Sequence, residues 1–138
     1  MAFSNLITPK KQSYENIKEK IKMPKLNVYE KPTCTTCRKM VKLLNKKGIE
    51  FNRINYYLDP FSKNQLKTLL KKMGMQPSEV LRKNEKAYKE LDFRNKKYTE
   101  AQILDLMVKN HDLVQRPIVE YGDKAVLGRP VERVNELF

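Results

Sequence analysis

Apolar and polar positions change period several times along this chain, and each change marks an element. Leu26, Val28 and Tyr29 form a short apolar run, which predicts a strand over Leu26–Glu30. Over residues 35–47 the apolar positions recur at helical spacing instead. Cys37, Met40, Val41 and Leu44 share one face there, and Gly48 is placed to end the helix. Residues 51–57, rich in aromatic and β-branched side chains, predict a second strand. Two strands joined through a helix make a parallel, right-handed β-α-β unit.

Pro60 breaks this pattern. Ser62 with Gln65 matches a capping box and opens a helix whose stripe is Leu66, Leu69, Leu70 and Met73, ending at Gly74. Pro77-Ser78-Glu79 starts a short helix containing Leu81 and Arg82, and another is predicted over residues 83–91. After the polar Asn95-Lys96-Lys97, Thr99 with Gln102 repeats the capping-box pattern ahead of Ile103, Leu106 and Met107. Two strand-like runs, Ile118–Tyr121 and Lys124–Leu127, then flank Gly122-Asp123, which is a hairpin signal. Pro130, at an expected first helical position, predicts a closing helix to Phe138. The order is therefore β-α-β, a helical middle, a hairpin and a last helix. It fits an α/β domain built on a four-stranded mixed sheet flanked by helices. Residues 1–22 read as a separate N-terminal extension, with Tyr14, Ile17 and Ile21 at loose helical spacing after Ser13, ahead of a domain over residues 23–138.

Composition changes this picture in two respects. No apolar run nears the roughly 18 residues a membrane span needs, and Leu6-Ile7 is closely followed by Pro9-Lys10-Lys11 rather than by a secretory core, so a cytoplasmic protein is expected. The formal net charge of +13 favours anionic partners generally. The lysines are nonetheless spread through nearly every segment without a block of five or six, and direct nucleic-acid binding is not expected on that charge alone.

Both cysteines lie in Cys34-Thr35-Thr36-Cys37, between the first strand and its helix. A C-x-x-C beside a β-α-β unit points to thioredoxin-like redox chemistry. A cysteine at a helix start faces unpaired backbone N–H groups and the positive end of the helix dipole, which favour the nucleophilic thiolate. Cys34 is the expected nucleophile. Cys37, one turn further in, is either a resolving thiol or a small residue of the helix's apolar face. Two cysteines and one histidine do not make a four-ligand metal site, and His111, in a polar Asn-His-Asp turn, reads as a surface residue. Only seven of the 29 basic residues are arginines, and Arg116 and Arg129 stand before Pro117 and Pro130 at the two ends of the hairpin. Their forked donors suit a tetrahedral oxyanion better than an ammonium does.

Four motifs in order, Tyr29-Glu30-Lys31-Pro32-Thr33-Cys34-Thr35-Thr36-Cys37-Arg38, Leu81-Arg82-Lys83-Asn84 with Tyr88, Gln115-Arg116-Pro117-Ile118-Val119 and Gly128-Arg129-Pro130, resemble the ArsC-type arsenate reductases of the glutaredoxin-linked class. The resemblance spans residues 25–138. It implies a thioredoxin-like fold with a helical insertion, one cysteine (Cys34) attacking arsenate or a similar oxyanion, and Arg82, Arg116 and Arg129 holding that oxyanion. It also implies a cis Arg116-Pro117 bond, a monomer with no bound cofactor, and an external reductant, either glutathione with glutaredoxin or thioredoxin. Two positions depart from the pattern. Glu30 stands where these reductases usually carry a histidine, and Cys37 adds a second thiol. The Cys34/Cys37 pair is similar instead to the Spx-type regulators, which sense disulfide stress and bind RNA polymerase. That alternative makes the pair a redox switch.

Overall fold

The computed structural model describes residues 26–138. The helix expected near residues 14–21 and the boundary between extension and domain lie outside the described residues. The sheet contains β1 (Leu26–Glu30), β2 (Asn52–Asn55), β3 (Ile118–Tyr121) and β4 (Lys124–Leu127) in the order β2-β1-β3-β4. β1 runs parallel to β2 and antiparallel to β3, and β3 is antiparallel to β4. This is the mixed four-stranded sheet that the periodicity predicts.

The two faces of the sheet are covered differently. Successive side chains of a strand point to opposite faces. Leu26 and Val28 therefore pack on one side with Val119 and Val126, against Met40 and Leu44 of α1 (Thr35–Lys46) and Val134 and Leu137 of the closing 3₁₀ segment (Val131–Leu137). Tyr29, Ile118 and Leu127 face the other way. There they meet Leu66, Leu69 and Leu70 of α2 (Lys63–Met73) and Ile103, Leu104 and Met107 of α4 (Glu100–Lys109). Burying a Leu, Ile or Met side chain stabilises by about 1.5–3 kcal/mol, so both faces are tightly held.

Local signals set most boundaries. The α1 helix stops because Gly48 takes a left-handed φ of 70°, and Ile49 N–H then reaches the Leu44 carbonyl at 3.1 Å. Ser62 caps α2 by accepting from Gln65 N–H, and Thr99 with Gln102 forms the full capping box of α4.

Four boundaries differ from those predicted. The short helix opened by Pro77 is a 3₁₀ turn over Pro77–Val80 that does not reach Leu81 and Arg82, because Leu81 is extended and bridges Val114. The β2 strand ends at Asn55, whose side chain accepts from Tyr57 N–H and whose carbonyl accepts from Leu58 and Asp59 N–H, turning Tyr56 and Tyr57 out of the strand. The helix expected over residues 83–91 shortens to α3 (Lys86–Glu90) because Arg82 N–H is tied to the Leu113 carbonyl beside the Leu81–Val114 bridge. Pro130 caps the final segment rather than opening it, since its ψ of 164° is extended, and that segment winds as 3₁₀ helix.

Candidate active site

Cys34 is the N-cap of α1, at the C-terminal edge of β1, where a tight turn brings its N–H to the Lys31 carbonyl at 2.9 Å. Its side chain is half-buried, whereas Cys37, on the inward face of the first helical turn, is 1% exposed. Burial works against ionisation of Cys34. The Cys37 backbone N–H, the Cys37 thiol and the Arg116 guanidinium together outweigh it and bring the thiol from an ordinary 9.0 down to about 7. Cys37 goes the other way. Burial is the largest influence and pushes it up to about 12, the Cys34 sulfur and the Glu30 carboxylate adding to that effect against the Lys31 backbone N–H. One thiol of the pair is therefore poised to be a thiolate near neutral pH, and the other stays protonated.

Arg116 is the basic group beside Cys34. It is 5% exposed, and a buried guanidinium requires hydrogen-bond partners. Its Nη1 donates to the Tyr57 hydroxyl at 3.2 Å and to the Tyr56 hydroxyl at 3.5 Å, and the guanidinium lies over the Tyr57 ring. Tyr56 in turn donates to the Val114 carbonyl at 3.0 Å, and the Tyr57 hydroxyl donates to Asp112. Burial opposes the charge of Arg116, yet Tyr56, Cys34 and Tyr57 hold it more firmly protonated than usual. Its Nε has no partner in this buried setting.

The other two predicted arginines attach to the same segment. Arg129 donates through Nε to the Arg116 carbonyl at 2.8 Å, joining the two ends of the hairpin. Both Arg116-Pro117 and Arg129-Pro130 are cis, the second not foreseen from sequence. Gly128 lets these loops close: a Cβ there would sit 2.4 Å from Met40 Cε and 3.1 Å from Pro117 Cγ. Arg82 pairs with Glu85 at 2.9 Å and donates to the Gln115 side chain at 3.2 Å, the neighbour of Arg116. Its charge also acts on Tyr56. Of the three, Arg116 meets Cys34, while Arg129 bonds the Arg116 backbone directly and Arg82 reaches only its neighbour Gln115. A cavity of about 450 Å³ opens between the first turn of α1 and Arg129-Pro130, lined by Thr36 and Lys39 among others.

Glu30, which departs from the reductase pattern, lies in the interior. It is 2% exposed, its Oε1 accepts from Arg53 Nε and Nη2 at 3.0 and 2.8 Å, and its charge acts on Cys37. His111 is half-buried rather than a surface residue, its ring edge-on to Tyr57 at 4.5 Å. Sequence reading missed Tyr56, Tyr57 and Asp112 as a support for Arg116. The available signal was the Tyr-Tyr pair directly after a strand, which strand propensity alone already explained. Among the described residues no group of three or more His, Cys, Asp or Glu is placed to hold a metal ion, and no helix is long and apolar enough to cross a membrane.

Residues 29–137 match the model of the ArsC family. The chain belongs to that family. Its relatives include the uncharacterized protein YfgD of Escherichia coli K12, 35% identical over 81% of this chain and 95% of that protein. An arsenate reductase of Haemophilus influenzae is 33% identical over 80% of this chain and 96% of its own length. Among solved structures, an arsenate reductase from Vibrio cholerae superposes with a TM-score of 0.77 at 30% identity, covering 82% of this chain and 97% of that one. The fold of this ArsC family member is thus the thioredoxin-like one, with α2 to α4 as its helical insertion between β2 and β3.

Proposed function

We propose that this ArsC family protein is a thiol-dependent oxidoreductase that reduces arsenate or a closely related oxyanion. The observation that carries this reading is the buried, unpartnered Nε of Arg116 beside the low-pKa thiol of Cys34. An anion carrying several oxygens supplies the acceptor that this donor lacks, next to the sulfur that would attack it. Arg129 and Arg82 complete the basic surround. Relatives named as arsenate reductases over most of both chains support arsenate as the first oxyanion to try.

In this mechanism the Cys34 thiolate attacks arsenic and forms a sulfur–arsenic bond as one arsenate hydroxyl, protonated from solvent, leaves as water. The arginines neutralise the negative charge that gathers on the remaining oxygens. The Cys37 sulfur then attacks Cys34 Sγ. The electron pair of the sulfur–arsenic bond stays with arsenic, which leaves as arsenite, and a Cys34–Cys37 disulfide remains. An external reductant, glutathione with glutaredoxin or thioredoxin, restores both thiols. Every group required comes from one chain, so a monomer suffices, and the cycle needs the reducing conditions of a cytoplasm. A disulfide-switched regulator could use the same pair, but it has no use for an open guanidinium donor at the thiol.

The test is NADPH consumption in the presence of arsenate, coupled through glutaredoxin and glutathione and, separately, through thioredoxin and its reductase. Turnover with at least one system, abolished by Cys34→Ser, is expected. Turnover that survives Cys34→Ser overturns the mechanism, and arsenate-independent behaviour with both systems overturns the substrate.

A further inference from the structure

Arg116 is a buried cation without an anion in direct contact. Among the described residues no carboxylate lies within ion-pair distance of its guanidinium. Its Nη1 rests instead on two phenol oxygens, Tyr57 at 3.2 Å and Tyr56 at 3.5 Å. A phenol has one proton to give and lone pairs to receive with. Tyr56 gives its proton to the Val114 carbonyl, and Tyr57 gives its proton to Asp112. Both hydroxyls are thereby left as acceptors toward Arg116. Tyr57 keeps that proton, because burial first and the Asp112 carboxylate second hold it well above the ordinary tyrosine range. The Tyr57 ring has supports of its own. Lys31 Nζ stands over it at 4.7 Å, and the His111 and Tyr56 rings lie at 4.5 and 5.0 Å.

We propose that Asp112 is a positioning residue of the anion site, fixing Arg116 beside Cys34 by setting which way the Tyr57 hydroxyl points. The inference deepens the proposed function and rests on its assignment of Arg116 to the site. A phenol proton lies near the ring plane and has two places to point. With Asp112 as its acceptor the proton is directed away from the guanidinium, and the oxygen is left to receive Nη1. Without that acceptor the hydroxyl is free to turn its proton toward Arg116. Donor then meets donor, and the guanidinium is pushed off its seat. An intervening hydroxyl also serves better than a direct carboxylate. A carboxylate on the guanidinium would take two of its donors as a fork and cancel its field at the sulfur. Through Tyr57, Asp112 holds the cation by one nitrogen, and Nε stays open for an oxyanion.

The experiment reads the pH midpoint of Cys34 alkylation by iodoacetamide with no arsenate present, so arsenate turnover judges the oxyanion reading separately. It turns on a sign. Acting through space alone, loss of a nearby carboxylate lowers a thiol midpoint. Asp112→Leu, which puts an apolar group where the acceptor was, should instead raise it by about half a unit to one unit, as Arg116 leaves the sulfur. Tyr57→Phe, which removes the hydroxyl and keeps the ring, should raise it equally. Asp112→Asn retains an acceptor and should stay at or below the wild-type midpoint. Adding Asp112→Leu to Tyr57→Phe should give no further rise, because its route to Arg116 is already cut. A midpoint that falls in Asp112→Leu overturns the proposal and makes Asp112 a plain counter-charge. An unmoved midpoint in Tyr57→Phe overturns it too, as does a further rise in the double variant. Should Asp112→Leu fail to fold, the Tyr57→Phe midpoint decides.

Discussion

At the residue scale the site is a contrast between two thiols one helical turn apart. Cys34 ionises at about 7 although burial resists it, because the Cys37 N–H, the Cys37 thiol and Arg116 favour the anion. Cys37 is held up at about 12, first by burial. Alkylation of Cys34 by iodoacetamide should therefore reach half its maximal rate near pH 7. Removing the Arg116 charge as Arg116→Gln should move that midpoint upward by about one unit, since a cationic neighbour lowers a thiol pKa by one to a few units. An unmoved midpoint would show that Arg116 does not act on the sulfur. Cys34 and Arg116 were legible from sequence because each sits in a compact local motif. Tyr57 and Asp112 were not, since they meet across 55 positions and no local pattern reports such a contact. Glu30 was legible as an anomaly only; its burial and its Arg53 partner depend on strand pairing.

At the element scale the hairpin decides the geometry. Ile118 pairs with Leu127, so the two Arg-Pro steps leave the β3–β4 ladder level with each other, and Gly128 N–H closes on the Pro117 carbonyl at 2.8 Å. The missing side chain of Gly128 is what lets α1 pack against this closure. Gly128→Ala should lower stability by about 1–3 kcal/mol, the usual cost of overpacking a filled interior. The intruding contact would be with Met40 Cε, so Met40→Leu in the same chain should recover part of the loss, read as a positive coupling in thermal unfolding. Simple additivity would place the strain elsewhere. Helix and hairpin boundaries set by caps and glycines were readable in advance, because those signals act within three or four residues. The early end of β2 was not, because Asn55 reads equally well as a strand residue until its side chain is seen to bond Tyr57 N–H.

At the scale of the whole molecule, several acids are buried in their neutral form. Tyr29 and Tyr56 titrate at about 12 against an ordinary 10.0, and Cys37 at about 12 against 9.0, burial leading in each case. A raised folded pKa means that the unfolded chain gives up its proton first. The stability these groups support is complete below about pH 9 and drains away as pH rises toward 12. Cys34 works in the opposite sense between 7 and 9, but its greater exposure makes that contribution smaller. Melting temperature, followed by circular dichroism, should fall steeply from about pH 9, and Cys37→Ala should delay the onset toward pH 10. A flat profile to pH 11 would contradict the burial of these groups. The architecture itself was readable in advance because the shift from strand to helix period recurs cleanly along the chain. The net charge of +13 was equally visible and said little, since it does not tell which cation folding brings to the thiol, and that cation is Arg116.

The hairpin tie between Arg129 and the Arg116 carbonyl has a consequence for how such a protein can diverge. The thiols and Glu30 come from one continuous stretch, β1 with the start of α1, and two of the arginines from another, the hairpin and its flanks. The two stretches meet through the pairing of β1 with β3. On the proposed mechanism, changes in the hairpin can therefore retune which anion is preferred while the sulfur chemistry is inherited unaltered, and changes after β1 can exchange one redox cycle for another beneath an unchanged set of arginines. Descent can edit the two halves on separate schedules.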